Sequence, residues 1–217
     1  MAIKGKLILL RHGQSEWNRL GVFTGWVDIP LSAQGVEESK QAGKKLAGMK
    51  IDTVFTSSLI RAQMTALLAL LEIGGKVPAL LPSKSAILHE GCLPVYISEK
   101  LNERMYGDLE GLNKDAMREK HGKEQVQIWR RSYKIAPPGG ESLEMTAARA
   151  LTYFQQEIVP EVAHGNTVFV VAHGNSLRAI MMALDGLSEQ QVVDLEIPTG
   201  RPIIYNLLNE NVWEKLE

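Results

Sequence analysis

The sequence has little sulfur, little net charge and no long apolar run. Its single cysteine, Cys92, excludes an intramolecular disulfide and a zinc site built from several thiolates, which favours a reducing, cytoplasmic location. The formal net charge of −1 over 217 residues provides no general basic field for nucleic acid. The apolar run at 7–10 is too short for a signal peptide and far below the roughly 20 residues that span a bilayer. Neither a membrane segment nor a nucleic-acid partner is therefore expected.

The chain has enough residues for one compact domain and few for two, so we expect a single domain over 1–217. Short apolar segments alternate with amphipathic ones, which predicts an α/β fold: a three-layer sandwich with a mostly parallel central sheet flanked by helices. The predicted strands cover 6–10, 53–56, 77–81, 167–172 and 202–207. The predicted helices cover 32–48, 58–74, 174–184, a short segment after Ser188, and a long segment from Ser142 to Pro160, where proline should kink or end it.

The alternation of strands and helices breaks between Pro82 and Pro138. This stretch is rich in glycine and charge and contains the dense cluster LNERMYGDLEGLNK at 101–114. Ligands of α/β proteins bind at the carboxyl ends of the strands. We therefore expect an excursion at about 82–138 that covers those strand ends and the active site.

Two predicted strands each end in a His-Gly pair, in LILLRHG at 7–13 and TVFVVAHG at 167–174. The carboxyl ends of parallel strands converge on one crevice. A histidine with an unprotonated ring nitrogen is a nucleophile for phosphorus, and an adjacent arginine offers a planar fork of donors to phosphate oxygens. The pattern indicates phosphoryl transfer through a phosphohistidine. His12 is the expected nucleophile, because Gly13 lets the backbone approach the phosphate closely.

Five motifs extend this pattern along the chain. They are RHGQSEWN at 11–18, FTGW at 23–26, LNERMYGDLEGLNK at 101–114, WRRSY at 129–133 and AHGNSLRA at 172–179. Together they resemble the cofactor-dependent phosphoglycerate mutases of the histidine phosphatase superfamily. The first and last motifs occur across that superfamily, which includes many phosphatases, whereas the middle three are specific to the mutase branch. The resemblance implies interconversion of 3-phosphoglycerate and 2-phosphoglycerate, with 2,3-bisphosphoglycerate as the primer and no metal.

The resemblance also assigns roles to residues. It implies a catalytic set that consists of Arg11, His12, Arg61, Glu103 and His173. The two arginines and His173 would stabilise the charge of the transferring phosphoryl group, and Glu103 would carry a proton to and from a substrate hydroxyl. Neighbouring anions would raise the pKa of Glu103 whereas Arg104 would lower it, and the sequence leaves that balance open.

Two groups of substrate-binding residues follow from the same resemblance. The first surrounds the transferred phosphoryl group and consists of Asn18, Thr24, Gly25, Gly174 and Asn175, the last two with amides at the start of a helix. The second, which we call the second anion clamp, would hold the remaining carboxylate and phosphate and consists of Arg104, Tyr106, Lys114, Arg130 and Arg131. The partners implied are small phosphorylated sugar acids.

Two alternatives are a broad-specificity phosphomonoesterase with the same nucleophile and a non-catalytic ligand-binding relative. The second anion clamp argues against the first, and the joint presence of nucleophile, arginines and acid argues against the second. The chain lacks an insertion that many family members carry within the motif at 136–143, which leaves a homo-oligomer open. The short segment after the last predicted strand leads us to expect appreciable hydrolysis of 2,3-bisphosphoglycerate, because water would be excluded less completely.

Overall fold

The computed structural model describes residues 2–209 and 212–216, which form one seven-stranded sheet with helices on both faces. The strands are β1 (Gly5–Arg11), β2 (Thr53–Thr56), β3 (Pro78–Leu81), β4 (Leu93–Ile97), β5 (Thr167–Ala172), β6 (Ile203–Asn209) and β7 (Val212–Leu216). Their order across the sheet is β3-β4-β2-β5-β1-β6-β7. The first five are mutually parallel, whereas β6 runs antiparallel to both β1 and β7. The predicted α/β sandwich with a mostly parallel sheet is confirmed.

Helices cover the two faces of the sheet. They are α1 (Glu16–Arg19), α2 (Ala33–Lys45), α3 (Ile60–Ile73), α4 (Lys114–His121), α5 (Lys123–Arg131), α6 (Leu143–Tyr153), α7 (Val159–Ala163), α8 (Gly174–Asp185) and α9 (Glu189–Asp194). On one face, α3 and the end of α2 pack Leu46 and Leu70 against Ile8 and Phe169. On the other face, α6, α7 and α8 pack against the opposite side of the same strands. Each fully buried side chain of this size contributes about 1.5–3 kcal/mol.

Two strands were missed by the sequence prediction. Strand β4 lies inside the predicted excursion, but it pairs in parallel with both β2 and β3 and so belongs to the sheet. Its five residues include Pro94, and such a short segment gives little periodicity from which to recognise a strand. Strand β7 forms the opposite edge of the sheet against β6, where we had expected only a short tail.

The long helix predicted from Ser142 begins as expected, since the Ser142 hydroxyl caps it by accepting from the Met145 amide at 3.1 Å. It does not end at Pro160. Residues Phe154–Ile158 form a wider π-helical turn, after which α7 carries the chain through the proline. Proline lacks an N–H and its ring clashes with the carbonyl four residues earlier, so a local widening of the helix accommodates it.

The rest of the predicted excursion forms a small helical unit. Helices α4 and α5 are joined at Gly122, whose φ of 84° is readily adopted by glycine. We call this α4–α5 unit the helical cap. Its Met117 and Val126 form a small cluster with Phe23 and Leu109, which join the cap to neighbouring segments. Among the described residues, none of the helices has both the length and the apolar character required to cross a membrane.

Candidate active site

A polar cavity of about 200 Å³ lies where the carboxyl ends of β1 and β5 meet the helical cap. It joins motifs that are far apart in the sequence. Its walls are formed by Arg11, His12, Asn18, Thr24, Gly25, Arg61, Glu103, Tyr106, Lys114, Arg130, Arg131, Gly174, Asn175, Arg178 and Glu196. Of the fifteen site residues predicted from the sequence, thirteen therefore line one cavity. The two others are His173, which contacts His12, and Arg104.

His12 follows the last residue of β1, and its side chain is almost completely buried at 2 % exposure. A Cβ on the neighbouring Gly13 would overlap the Gly35 carbonyl, so only glycine fits in this turn. The Nδ1 of His12 lies 2.6 Å from the Gly13 carbonyl oxygen. Since a carbonyl only accepts, Nδ1 carries the proton, and Nε2 keeps the lone pair that can attack phosphorus.

The environment of His12 favours the neutral ring. Burial lowers its pKa well below the ordinary value, and the positive charges of Arg61 and Arg11 lower it further, whereas the bond to the Gly13 carbonyl opposes this. At neutral pH the ring is therefore unprotonated at Nε2. A neutral imidazole beside two cations is the form that a nucleophile for an anionic phosphoryl group requires.

His173, directly after β5, lies beside His12 with the ring centroids 4.8 Å apart. Its Nε2 is 2.7 Å from the Ser57 hydroxyl, which fixes the ring at the end of β2. Its Nδ1 is buried with no hydrogen-bond partner among the described residues. Burial, and then the charge of Arg61, lower the pKa of His173 well below the ordinary value.

The two predicted phosphate arginines enter the site from different elements. Arg61, in the first turn of α3, is only 1 % exposed and donates to the carbonyls of Gly25 at 2.8 Å and Val27 at 3.1 Å. Burial lowers its pKa to about 10, which leaves it charged at neutral pH. Arg11 donates from Nη1 to the Ile197 carbonyl at 2.8 Å, while its buried Nε has no partner in the described part of the chain.

Glu103 is a carboxylate in this site. Burial raises the pKa of its carboxyl, but the Arg104 backbone N–H, the charge of Arg11 and the Asn175 amide together outweigh burial and lower the pKa. Oε1 accepts from the Arg104 amide at 2.8 Å and from the Asn175 backbone and side chain at 3.1 and 2.9 Å. A Cβ on Gly174 would lie 3.6 Å from both Oε2 and the Arg11 Cζ, and all three residues line the cavity.

The residues predicted around the transferred phosphoryl group lie together, with one difference. Asn18 forms a capping box with Ser15, and the Thr24 hydroxyl is buried without a partner among the described residues. Gly25 adopts a φ of 53°, which favours glycine. The Asn175 backbone amide, expected to be available to an anion, instead donates to Glu103. It therefore orients the acid.

The second anion clamp is contributed mainly by the helical cap. Lys114 begins α4, and Arg130 and Arg131 end α5, so the two adjacent arginines reach one cavity from the end of a helix. Burial lowers the pKa of both Lys114 and Arg130. Tyr106 lines the wall between the cap and Glu103; burial raises the pKa of its hydroxyl, but the charge of Arg104 more than offsets this and the pKa is lowered.

Arg104 differs from the prediction, because it is 0 % exposed and does not line the cavity. Its guanidinium donates to the Tyr106 hydroxyl at 3.3 Å and to the backbone carbonyls of Arg130 and Ser132. In this structure Arg104 therefore holds Tyr106 and the end of α5 in place and does not itself reach the cavity.

Comparison with known proteins identifies the family of this chain. The family model described as histidine phosphatase superfamily (branch 1) matches residues 7–211. The chain belongs to this superfamily. It is 54 % identical over 213 residues to a 2,3-bisphosphoglycerate-dependent phosphoglycerate mutase of Protochlamydia amoebophila, covering 93 % of this chain and 94 % of the relative. A protein of the same name from Chlamydia pneumoniae is 49 % identical over 217 residues, with 95 % of each chain covered. The resemblance to the cofactor-dependent mutases is confirmed.

Solved structures at lower identity share the fold. The alpha-ribazole phosphatase of Shigella flexneri superposes with a TM-score of 0.75 at 23 % identity, covering 97 % of this chain and 94 % of that one. A mycobacterial glucosyl-3-phosphoglycerate phosphatase gives a TM-score of 0.76 at 24 % identity, with 97 % of each chain covered. At this level of identity the likeness establishes the fold.

Three residues of this histidine phosphatase site were not predicted. Ser57 directly follows β2, so the rule that ligands meet strand ends could have identified it. Arg178 lies in α8 three residues after Asn175, on the same helical face, and donates to its side-chain oxygen at 3.2 Å. Glu196 lies in the connection between α9 and β6, with no motif around it.

The cavity is strongly cationic overall. Its lining includes two carboxylates, Glu103 and Glu196, and six side chains that carry a positive charge: Arg11, Arg61, Lys114, Arg130, Arg131 and Arg178. Four buried polar atoms at or beside it lack a partner among the described residues: Arg11 Nε, Thr24 Oγ1, Arg104 Nε and His173 Nδ1. Buried polar groups are normally hydrogen-bonded, so this concentration fits a ligand with more than one anionic group.

Proposed function

We propose that this enzyme interconverts 3-phosphoglycerate and 2-phosphoglycerate through a phosphohistidine on His12, primed by 2,3-bisphosphoglycerate. Relatives at 54 % and 49 % identity carry the name of this activity. The observation that carries the proposal is the state of His12: its Nδ1 proton is held by the Gly13 carbonyl and its ring is kept neutral beside two arginines. This arrangement prepares Nε2 for a phosphoryl group.

The residues of the cavity fit a bisphosphorylated sugar acid. Arg11, Arg61, Asn18 and Thr24 would hold the phosphoryl group next to His12. Tyr106 and the cap cations Lys114, Arg130 and Arg131 would hold the carboxylate and the second phosphate. 2,3-Bisphosphoglycerate supplies the phosphoryl group that charges His12.

The chain's own residues account for the transfer in both directions. As the N–P bond to His12 Nε2 forms, the O–P bond to the sugar acid breaks, and the released oxygen takes the proton that Glu103 accepted from a substrate hydroxyl in the preceding transfer. In the reverse step a substrate hydroxyl loses its proton as it attacks phospho-His12. Glu103 is the proton carrier: its Oε1 is held by three N–H donors, and the residue lines the cavity. Arg11, Arg61 and the neighbouring His173 stabilise the charge on the transferring group.

The second anion clamp favours a mutase over a broad phosphomonoesterase. Hydrolysis of a simple monoester needs donors only for the transferred phosphoryl group. Here a separate set of cations lines the far wall, contributed by Lys114 at the start of α4 and two arginines at the end of α5. These cations would retain the bisphosphoglycerate formed on the enzyme so that its other phosphoryl group can be transferred to His12.

The remaining features of the proposal concern the whole protein. We assign residues 1–217 to one catalytic domain in which the excursion at about 82–138, apart from β4, covers the active site. We place the enzyme in the cytoplasm, because its substrates are phosphorylated sugar acids and its single cysteine fits a reducing compartment.

A coupled assay with excess enolase tests the function. Purified enzyme is given 3-phosphoglycerate with and without a trace of 2,3-bisphosphoglycerate, in the presence of EDTA. Turnover that requires the bisphosphate and persists in the chelator is the expected result. Absence of turnover, together with phosphate release from unrelated monoesters, would assign the chain to the phosphatases instead.

A further inference from the structure

Glu196 places a negative charge in a cavity otherwise organised to bind anions. Its carboxylate Oε1 accepts from Arg131 Nη2, and its Oε2 lies 3.8 Å from Arg178 Nη2. Arg131 is part of the second anion clamp, and Arg178 lines the same wall. The Glu196 carboxylate thus occupies the position that an anionic group of a ligand would take between these two arginines.

The backbone on either side of Glu196 is held to the site independently of this side chain. Arg178 Nε donates to the Leu195 carbonyl at 2.8 Å, and Arg11 Nη1 donates to the Ile197 carbonyl at 2.8 Å. The Glu196 side chain itself is 68 % exposed. It can therefore rotate out into solvent while the loop stays in place, at the cost of its ion pair with Arg131 and its longer contact with Arg178.

Arg178 and Arg131 differ in how strongly they depend on the Glu196 carboxylate. Arg178 is buried; burial lowers its pKa to about 10, with Arg131 adding to the decrease and Glu196 opposing it. Arg131 is partly exposed and also donates to the Val193 carbonyl at 3.4 Å. Both guanidinium groups stay close together in the free enzyme because Glu196 lies between them and offsets their repulsion.

We propose that Glu196 is an internal competitor for the second anion clamp, displaced when a ligand's anionic group reaches Arg131, and that it thereby limits how tightly the site holds highly charged ligands. The inference rests on the proposed function and concerns specificity within it. 2,3-Bisphosphoglycerate, with a carboxylate and two phosphates, carries more negative charge than a monophosphoglycerate and gains most from the cations, and it is also the ligand that a mutase must not retain too firmly. The negative charge of Glu196 near the bound ligand lowers the affinity for the bisphosphate more than the affinity for the monophosphate.

A competitor and a positioning residue predict effects of opposite sign when Glu196 is neutralised. If Glu196 competes, Glu196→Gln frees Arg131 and tightens the bisphosphate by roughly three- to five-fold, the size expected for an exposed ion pair. The monophosphate should tighten less. If Glu196 instead orients Arg131 for the ligand, the same variant should weaken both.

The test is isothermal titration of 2,3-bisphosphoglycerate, 3-phosphoglycerate and inorganic phosphate into proteins that carry His12→Ala, so that no phosphoryl group is transferred. Glu189→Gln is the matched control, since Glu189 lies close by in sequence and pairs with Lys134 at 3.1 Å, away from the lining of this cavity. Tightening in Glu196→Gln and not in Glu189→Gln supports the proposal. Unchanged or weaker binding in Glu196→Gln, or equal tightening in both variants, overturns it.

The two proposals can fail separately in this experiment. If inorganic phosphate binds but neither phosphoglycerate does, the proposed function is wrong. The phosphate titrations still decide the role of Glu196 in that case when they are carried past saturation of the position at Arg11 and Arg61, so that phosphate also binds at Arg131 and Arg178. A higher affinity of this second phosphate in Glu196→Gln alone supports competition, and an unchanged affinity overturns it.

Discussion

Replacing Glu103 with glutamine would test the proposed proton carrier with little disturbance of the fold. Oε1 of Glu103 accepts three hydrogen bonds from N–H groups of Arg104 and Asn175. The glutamine side chain has the same length, and its carbonyl oxygen can accept the same three. The substitution removes the negative charge beside Arg11 and Arg61 and the capacity to carry a proton.

The expected effect is on the chemical step. A positioned general acid or base typically contributes about 10²–10⁴-fold, which corresponds to roughly 2.7–5.4 kcal/mol of the activation barrier. We expect kcat of Glu103→Gln to fall by that factor. KM should not rise, because the carboxylate that is removed repels an anionic substrate instead of binding it.

The assay combines steady-state turnover, coupled to enolase, with rapid-quench measurement of phosphoenzyme formation. Glu110→Gln is the matched control: its Oε1 accepts from the Trp26 and Tyr106 amides at 3.0 and 2.9 Å, and its charge also acts on Arg61, but it does not line the cavity. That variant should keep kcat within about three-fold of the parent, the usual range for a change outside the chemistry. Unchanged kcat in Glu103→Gln would remove Glu103 from the mechanism.

Three further predictions concern the nucleophile, a turn and pH. His12→Ala should abolish both mutase and phosphatase turnover and the incorporation of labelled phosphate; residual labelling would assign the nucleophile elsewhere. Gly25→Ala should lose stability to urea by at least about 1 kcal/mol more than Gly21→Ala, since both glycines have positive φ but only a Cβ at Gly25 overlaps the Glu110 carboxylate; equal losses would contradict this. Because burial lowers the pKa of His12 and His173, the unfolded chain binds protons below about pH 6.5 that the folded chain does not. The stability present above that pH should fall on acidification, and less steeply in His12→Ala, as followed by thermal unfolding between pH 7.5 and 5.5.

The fold was predictable where a local pattern determines the element. Apolar runs gave β1 and β5, and serine caps marked the starts of α2 and α6. Strand β4 was not predictable, because what makes it a strand is its pairing with two neighbours that lie far from one another along the chain. Long-range pairing leaves no trace in a five-residue segment.

The candidate site, like the fold, was predictable where the pattern is local and not where it depends on distant parts of the chain. Chain neighbours of His12 and His173 could be placed near them from the sequence, whereas Glu103 and the second anion clamp came from the family resemblance alone. The ionisation of Glu103 was not predictable: the first hydrogen bond that lowers its pKa comes from the backbone amide of Arg104, and the charges come from Arg11 and Arg61 on other elements. The Arg104 guanidinium, which the sequence offered as the neighbouring charge, is directed instead to carbonyls at the end of α5.

The hydrogen bonds of Glu103 hold the acid to the helices that pack on the sheet. Its carboxylate is held by Asn175 at the start of α8, and its backbone carbonyl accepts from Arg149 of α6 at 2.8 Å and from the Trp26 indole at 2.6 Å. The acid is thus fixed to the helices that pack on the sheet, as His12 is fixed to β1. The clamp cations Lys114, Arg130 and Arg131 belong instead to the helical cap, which packs on Phe23 and Leu109. Proton transfer depends on distances of a few tenths of an ångström, whereas long cationic side chains adapt to their ligand. The distance between nucleophile and acid is therefore set by the sheet and the helices packed on it, whereas the cations reach the ligand from the ends of α4 and α5.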